Sequence, residues 1–182
     1  MKQALVFLIH AIGDLFVMLV ILRFLLQLFR ADFRNPLAQG VLQLTSPLVI
    51  PLRKLIPPIG KIDTATIVVA LLAEFAILNL LNWLYPLPFS LGELLLFSVI
   101  RTLVLTLQLV IFLIFIQVLM SWIGNPHNPI ASLIGAVVEP IMRPIRRVIP
   151  PLGGLDLSPM VAILGLMAIN IVIRQNLPGA FA

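Results

Sequence analysis

Long runs of apolar residues, separated by shorter polar stretches, divide the chain into predicted membrane helices. A helix needs about 20 mostly apolar residues to cross about 30 Å of hydrocarbon. The segments that meet or approach this length are residues 4–29, 65–85, 94–123 and 157–175. The third is longer than a perpendicular span requires, so we expect the residues before Arg101 to lie along the membrane surface. The pattern therefore predicts an all-α membrane protein with four transmembrane helices.

The composition requires lipid as part of the protein's surroundings. Of the 182 residues, 61% are hydrophobic and 10% are charged, whereas soluble domains contain about 45–50% apolar and about 25% charged residues. The chain contains no cysteine, which excludes disulfides, thiolate metal sites and cysteine nucleophiles. Its net charge of +5 is expected to reflect membrane topology rather than nucleic-acid binding, because no stacking surface accompanies it.

Lysine and arginine are concentrated in the two long connectors between the predicted spans, residues 30–64 and 124–156. The short connector 86–93 contains neither residue type. Because basic residues accumulate on the cytoplasmic side of a membrane, both long connectors are predicted to be cytoplasmic and both termini periplasmic. The inverted topology is the alternative.

The two long connectors repeat each other at an offset of 93 residues, with eleven identical pairs between 35–63 and 128–156. The pairs are mostly proline, glycine, asparagine, aspartate and arginine, whereas chance similarity between apolar segments would match leucines. Each half then consists of a span, a connector and a span. We predict two parallel repeats, residues 1–90 and 91–182, related by a pseudo-two-fold axis along the membrane normal. The repeated structural positions are Asn35, Pro36, Pro47, Pro51, Pro57, Pro58, Gly60 and Asp63, and Asn128, Pro129, Pro140, Pro144, Pro150, Pro151, Gly153 and Asp156.

Each connector is predicted to contain short amphipathic helices. The pairs Asn35-Pro36 and Asn128-Pro129 suit a helix N-cap followed by proline at the first helical position. A second short helix is expected to begin near Pro47 or Pro140, with a kink one turn later. These helices are too short to span, so they are either interfacial or shallow and re-entrant. Basic side chains expected to contact anionic lipid or a partner, at about 1 kcal/mol each near the surface, are Arg53, Lys54, Arg143, Arg146 and Arg147.

An aspartate follows a repeated arginine by ten residues in both connectors: Asp63 follows Arg53, and Asp156 follows Arg146. One interpretation is an ion pair that closes the connector onto the next span. The other is a carboxylate that caps the following helix. The two are compatible.

The connector sequences RADFRNPLAQGVLQLTSPLVIPLRKLIPPIGKIDTA and NPHNPIASLIGAVVEPIMRPIRRVIPPLGGLDLSP resemble the YggT family of bacterial membrane proteins. The resemblance covers essentially the whole chain in its two-repeat, proteobacterial form, and relatives with one copy look like the YlmG proteins. It implies a multi-pass protein of the bacterial inner membrane. It also implies links to osmotic or salt stress and cell division in bacteria, and to cytochrome b assembly and nucleoid distribution in plastids, but no defined reaction.

Ionisable and amide side chains inside predicted spans are functional candidates, because they are costly in lipid. They are Asp14, Arg23, Glu74, Arg101 and Gln108. Depth along the helices lets Arg23 pair with Glu74, and lets Asp14 meet Arg101 if the arginine reaches inward. These groups either line a polar pathway for an ion or proton, or hold the helices together. We favour the structural role, because the repeat preserves the connectors and not these groups.

No catalytic residue, cofactor site or metal site is predicted. His10 and His127 have no carboxylate cluster at ligand spacing, and hydrolase, metalloprotease and nucleotide-binding signatures are missing. Haem ligation by His10 stays open. The leading hypothesis is a non-enzymatic membrane scaffold or assembly factor that contacts anionic headgroups and a membrane-protein partner. A homo-oligomer is compatible with this hypothesis. The alternative is a small ion transporter or channel that contributes to osmotic tolerance, and an enzyme ranks third.

Overall fold

The computed structural model describes residues 2–123, 128–149, 156–179 and 181 of the chain. These residues form six α-helices and no strand. The helices are α1 (Lys2–Leu28), α2 (Pro36–Leu55), α3 (Thr64–Leu84), α4 (Leu91–Ile123), α5 (Pro129–Val148) and α6 (Ser158–Arg174). The predicted all-α class is confirmed.

Three of these helices, α1, α3 and α4, are long and apolar enough to cross a membrane. Helix α6 is also apolar but has 17 residues, fewer than the about 20 that a perpendicular span needs, so the fourth span stays a prediction. Helix α4 is continuous through Arg101 and has 33 residues, which corresponds to a length of about 50 Å. It is therefore longer than the hydrocarbon layer is thick, as the sequence indicates, but the residues before Arg101 continue the same helix and form no separate surface segment.

The prediction of two short helices in each connector is wrong, because α2 and α5 are each one continuous helix of 20 residues. Two prolines lie inside each helix: Pro47 and Pro51 in α2, and Pro140 and Pro144 in α5. All four are exposed, and a spacing of four residues places each pair on one face. The backbone hydrogen bonds that proline removes are thus lost on the outer side, while the inner side stays packed.

The packed side of each connector helix is an apolar stripe with helical spacing. Its buried members are Ala38, Val41, Thr45 and Val49 in α2, and Leu133, Ile134, Val137, Val138 and Met142 in α5. The outer side of α2 is also apolar, because Leu44 and Leu48 are exposed by 63% and 53%. A helix that is apolar on its outer side suits a position against lipid rather than water.

The core lies where α1 packs on α3, α4 packs on α6, and α1 meets α4. Val17, Val20 and Ile114 are fully or almost fully buried there. The close approach of α1 to α3 depends on Gly13, because a Cβ atom at this position would lie 2.6 Å from Cδ1 of Ile77. A second, smaller cluster forms at the other end of α3, where Phe181 is buried against Leu78, Leu81 and Leu94.

The two halves also touch through their connectors. Nδ2 of Asn35 donates a hydrogen bond to the carbonyl oxygen of Pro129 over 2.6 Å, so the first turns of α2 and α5 adjoin each other.

Substitution of Gly13 tests the packing of α1 on α3. We expect Gly13→Leu to lower the free energy of unfolding by about 1–3 kcal/mol, because the side chain must displace Ile77 in a packed interface. The matched control is Gly165→Leu, since a Cβ atom at Gly165 meets nothing within 4 Å. Thermal unfolding of both variants in detergent, followed by tryptophan fluorescence, measures the difference. Equal melting temperatures for the two variants would contradict the described packing.

Candidate functional site

Both connector helices begin in the same way. The side chain of Asn35 accepts a hydrogen bond from the backbone N–H of Leu37, and Asn128 accepts one from Ile130, each over 2.9 Å. A proline occupies the first turn in both helices, where its missing N–H is not needed. The predicted N-caps are confirmed.

The connector helices also end alike. Ile56 and Ile149 have extended backbones and donate to the carbonyls four residues earlier, as expected before proline. After α2, Ile59 and Ile62 exchange backbone hydrogen bonds, and Gly60 adopts a φ of +60°, which favours glycine at this turn. The predicted positions Pro150, Pro151 and Gly153 lie outside the described residues.

An ion pair joins each connector helix to the start of the next helix, which confirms the prediction. Arg53 pairs with Asp63, and Nε of Arg146 lies 2.9 Å from Oδ2 of Asp156. Both arginines have a second acceptor, Gln27 for Arg53 and Glu139 for Arg146. The pairs differ in burial, because Asp63 is fully buried whereas the Asp156 side chain is 40% exposed.

The capping interpretation holds for Asp156 alone, because the side chain of Asp63 makes no capping hydrogen bond to a backbone N–H in the described structure. Asp63 is the N-cap residue of α3, and its carboxylate accepts a hydrogen bond from the hydroxyl of Thr66 over 2.6 Å. Asp156 precedes the N-cap of α6 and accepts a hydrogen bond from the backbone N–H of Ser158 over 2.9 Å. Each aspartate therefore contacts both the preceding connector helix and the following apolar helix.

These contacts shift the pKa values of the charged groups. Burial alone would raise the pKa of Asp63, but the hydrogen bonds from Thr66 and Arg53 and the charge of Arg53 outweigh it and lower the pKa below the usual range. The pKa of Asp156 is lowered in the same way, against a desolvation effect, by Ser158 and Arg146. The pKa of Arg146 is raised because Glu139 and Asp156 outweigh its desolvation.

Three predicted contact residues remain available at the ends of the connector helices: Lys54, Arg143 and Arg147. All three are exposed, and no hydrogen bond or ion pair holds them within the part of the chain that the structure describes. We call these three residues the basic helix ends. Arg53 and Arg146 keep side chains that are 37% exposed, and their contact with lipid or a partner stays a prediction.

Arg23 does not make the predicted pair with Glu74. It is buried and donates to the hydroxyl groups of Thr45 and Ser46 in α2, over 2.9 and 3.1 Å. The depth comparison failed because it considered the two spans alone, whereas the middle of α2 packs beside the last turns of α1 and supplies nearer acceptors.

Arg101 instead contacts the acidic groups that lie inside the predicted spans. It pairs with Glu74, its Nη2 atom lies 2.8 and 3.0 Å from the two carboxylate oxygens of Asp14, and Nη2 is 2.9 Å from Nδ1 of His10. Its Nε donates to the carbonyl oxygen of Phe181 over 3.0 Å. We call His10, Asp14, Glu74 and Arg101 the Arg101 cluster. The conditional contact between Asp14 and Arg101 is thus confirmed.

A cavity of about 80 Å³ adjoins the Arg101 cluster, and its lining includes Asp14, Arg101, Gln108 and Arg174. The structure therefore brings four of the five predicted intramembrane side chains to one region, and leaves Arg23 elsewhere. Whether an ion passes this region stays a prediction. Among the described residues, no group of three or more His, Asp or Glu side chains could hold a metal ion, and the expectation of no cofactor is not tested by this.

Sequence reasoning missed the role of the C-terminal segment. The ring centroid of Phe181 lies 5.4 Å from that of Phe89 and 6.1 Å from that of Phe97. The carbonyl oxygen of Phe181 accepts a hydrogen bond from Arg101. A single phenylalanine after α6 belongs to no periodic pattern, so the sequence does not indicate that it packs back against α4. His10 lies four residues before Asp14, so the shared helical face was the available signal for its place in the cluster.

Asp63 and Asp156 provide a paired test of the two arginine–aspartate ion pairs. We expect Asp63→Asn to lower the free energy of unfolding by about 1.5–3 kcal/mol, since it weakens buried charged hydrogen bonds. Asp156→Asn removes a half-exposed pair and should cost about 0–1 kcal/mol. Because the folded pKa of Asp63 lies below its unfolded value of about 3.9, its stabilisation is complete above that value and is lost as the pH falls through the folded pKa.

The measurement is thermal unfolding of the wild type and both variants at a series of pH values. The difference between the wild type and Asp63→Asn should shrink as the solution is acidified below pH of about 4. A difference that is the same at acid and neutral pH would show that the charge of Asp63 is not what stabilises the connector.

Comparison with known proteins identifies the relatives of the chain. The sequence model of the CCB3/YggT family matches residues 2–84 and residues 96–177. An uncharacterized protein of Pseudomonas aeruginosa is 39% identical over 97% of this chain and 91% of its own length. The uncharacterized protein YggT of Escherichia coli K12 is 33% identical over 96% of this chain and 92% of its own. No solved structure matches. With a family match over most of its length and relatives of this identity, the chain belongs to the CCB3/YggT family.

Proposed function

We propose that this protein is a non-enzymatic scaffold or assembly factor of the bacterial inner membrane, and that α2 and α5 form its contact surface. The observation that carries the proposal is the set of three exposed cations at the basic helix ends, Lys54, Arg143 and Arg147, which have no counter-ion among the described residues. Free cations beside an apolar membrane surface suit anionic headgroups or an acidic partner.

The order of the helices supports a position of both connectors on the same side of the membrane. If α1, α3 and α4 span the membrane, then the ends of α1 and α4 and the start of α3 lie on one side, which places α2 and α5 together. The hydrogen bond between Asn35 and Pro129 agrees with this. The excess of lysine and arginine in these connectors favours the cytoplasmic side.

Two matches to one family model, residues 2–84 and 96–177, support our proposal that the chain consists of two parallel repeats. The two connectors have helices of equal length with equivalent caps, inner prolines and arginine–aspartate pairs. In this proposal α6 is the fourth span, with Arg174 at its periplasmic end. Its 17 residues span with help from the snorkelling side chain of Arg174.

The basic helix ends combine charge with exposed apolar residues. Leu55 follows Lys54 and is 79% exposed, and Val148 follows Arg147 and is 80% exposed. An apolar residue enters the acyl region while the neighbouring cation reaches the headgroups, which is the arrangement of an interfacial helix. In contrast, Arg53 and Arg146 are held by Asp63 and Asp156 and fix the helices in place.

Reversal of the three free cations tests the proposal. We expect Lys54→Glu with Arg143→Glu and Arg147→Glu to weaken binding of phosphatidylglycerol by about 100-fold or more, since each cation contributes about 1 kcal/mol and a factor of ten corresponds to 1.4 kcal/mol. Energy transfer from tryptophan to labelled phosphatidylglycerol in lipid nanodiscs, with phosphatidylcholine as the competing lipid, measures the preference.

The matched control keeps the charges and changes the side chains: Lys54→Arg with Arg143→Lys and Arg147→Lys should bind as the wild type does. A second control is Arg174→Glu, which reverses one cation at the C-terminal end of α6 rather than at the basic helix ends. An unchanged lipid preference in the charge-reversed variant would reject the lipid-contact surface. Photo-crosslinkers placed at Leu55 and Val148 in native membranes then identify the protein partner, and crosslinks to lipid alone would reject the scaffold role.

A further inference from the structure

The Arg101 cluster has an unbalanced set of formal charges. It contains two carboxyl groups, Asp14 and Glu74, and one guanidinium group, Arg101. Asp14 lies near the middle of α1 and Glu74 at the middle of α3, so both are inside predicted spans. With both carboxylates ionised the cluster carries a net charge of −1. An uncompensated charge inside a membrane protein is strongly unfavourable, so a further positive charge is required.

Two further basic groups lie at this site, His10 and Arg174. Nη2 of Arg101 contacts Nδ1 of His10, and since a guanidinium can only donate, Nδ1 must accept with its lone pair. His10 is therefore neutral while this contact exists. Arg174 lines the same cavity but is exposed at the end of α6, and within the described ranges no ion pair joins it to Asp14 or Glu74.

A proton fits the site better than a metal cation. Metal ions such as magnesium and calcium require several oxygen ligands, and no group of three or more acidic or histidine side chains among the described residues is placed so that it could hold a metal ion. A cation between Asp14 and Glu74 would also lie beside the fixed charge of Arg101, which already contacts both. A proton needs only one carboxylate oxygen.

The contacts indicate which oxygen is available. One oxygen of each carboxylate, Oδ1 of Asp14 and Oε2 of Glu74, is buried without a hydrogen-bond partner among the described residues. Oδ1 of Asp14 still lies 2.8 Å from Nη2 of Arg101, and the Asp14 side chain is 27% exposed. Glu74 is completely buried. Its Oε1 accepts from Arg101, whereas Oε2 is buried and has no hydrogen-bond partner among the described residues. An ionised oxygen without a donor is the costliest member of such a cluster.

We propose that the Arg101 cluster binds one exchangeable proton, which resides on Oε2 of Glu74. The proton balances the second carboxylate, so that the cluster as a whole is neutral. Asp14 lines the cavity of about 80 Å³, which is large enough to hold water. The other titratable or charged groups at the site are His10 and Arg174. The proposal concerns proton binding and requires no flux.

Infrared spectroscopy of the full-length protein in lipid nanodiscs tests the proposal directly. A protonated carboxylic acid has a carbonyl band separate from those of carboxylates. We expect one buried-acid band at neutral pH in the wild type, and a shift of this band when the glutamates carry ¹³C carboxyl groups. The chain contains three glutamates, Glu74, Glu93 and Glu139. Loss of the band in Glu74→Gln and its retention in Glu93→Gln assign it.

A second variant separates charge balance from simple burial. In Asp14→Asn the remaining pair, Glu74 and Arg101, is already neutral, so we expect the buried-acid band to disappear although Glu74 is still present. Persistence of the band in Asp14→Asn would overturn the charge-balance argument. Absence of the band from the wild type at neutral pH, or a shift on labelling of aspartate instead of glutamate, would overturn the proposal even if Glu74→Gln fails to fold.

Discussion

The guanidinium group of Arg101 is the contact on which the arrangement of the described helices depends. It binds Asp14 in α1, Glu74 in α3 and the carbonyl of Phe181 after α6, from its own position in α4. Apolar packing brings helices together in lipid with little preference for rotation or register, because lipid chains are as apolar as leucine. A buried group with five fixed donors does impose a register. The cluster therefore determines how α1, α3 and α4 face one another.

The connectors solve a different physical problem, which is to hold a helix against the ends of two apolar helices. Each uses an asparagine cap and a proline at its start, exposed inner prolines, and an arginine near its end that reaches the start of the next apolar helix. Because Arg53 and Arg146 are occupied by this task, the neighbouring Lys54 and Arg147 are left exposed. Consecutive basic residues thus have separate roles, one inside the fold and one at its surface.

The sequence was sufficient for features that are local or repeated. The caps at Asn35 and Asn128 and the pair of Arg53 with Asp63 follow from fixed spacings within 30 residues, and the second copy provided an internal check. The partner of Arg23 and the continuity of α2 were not predictable in this way. The first depends on where α2 packs against α1, and the second on prolines facing outward. Neither is a property of one segment alone. The contact between Phe181 and Arg101 likewise joins residues that are 80 positions apart in the sequence.

The Arg101 cluster occurs once, whereas the connectors occur twice. At the offset of 93 residues, Asp14 corresponds to Leu107, Glu74 to Met167 and Arg101 to Leu8, so no second charge set is encoded. The cluster nevertheless joins the halves, since Asp14 and Glu74 belong to the first and Arg101 to the second. The two halves of the chain also meet through the packing of α4 on α1 and α3, and through the hydrogen bond from Asn35 to the carbonyl of Pro129. The charges of the cluster therefore lie where the first half of the chain contacts the second.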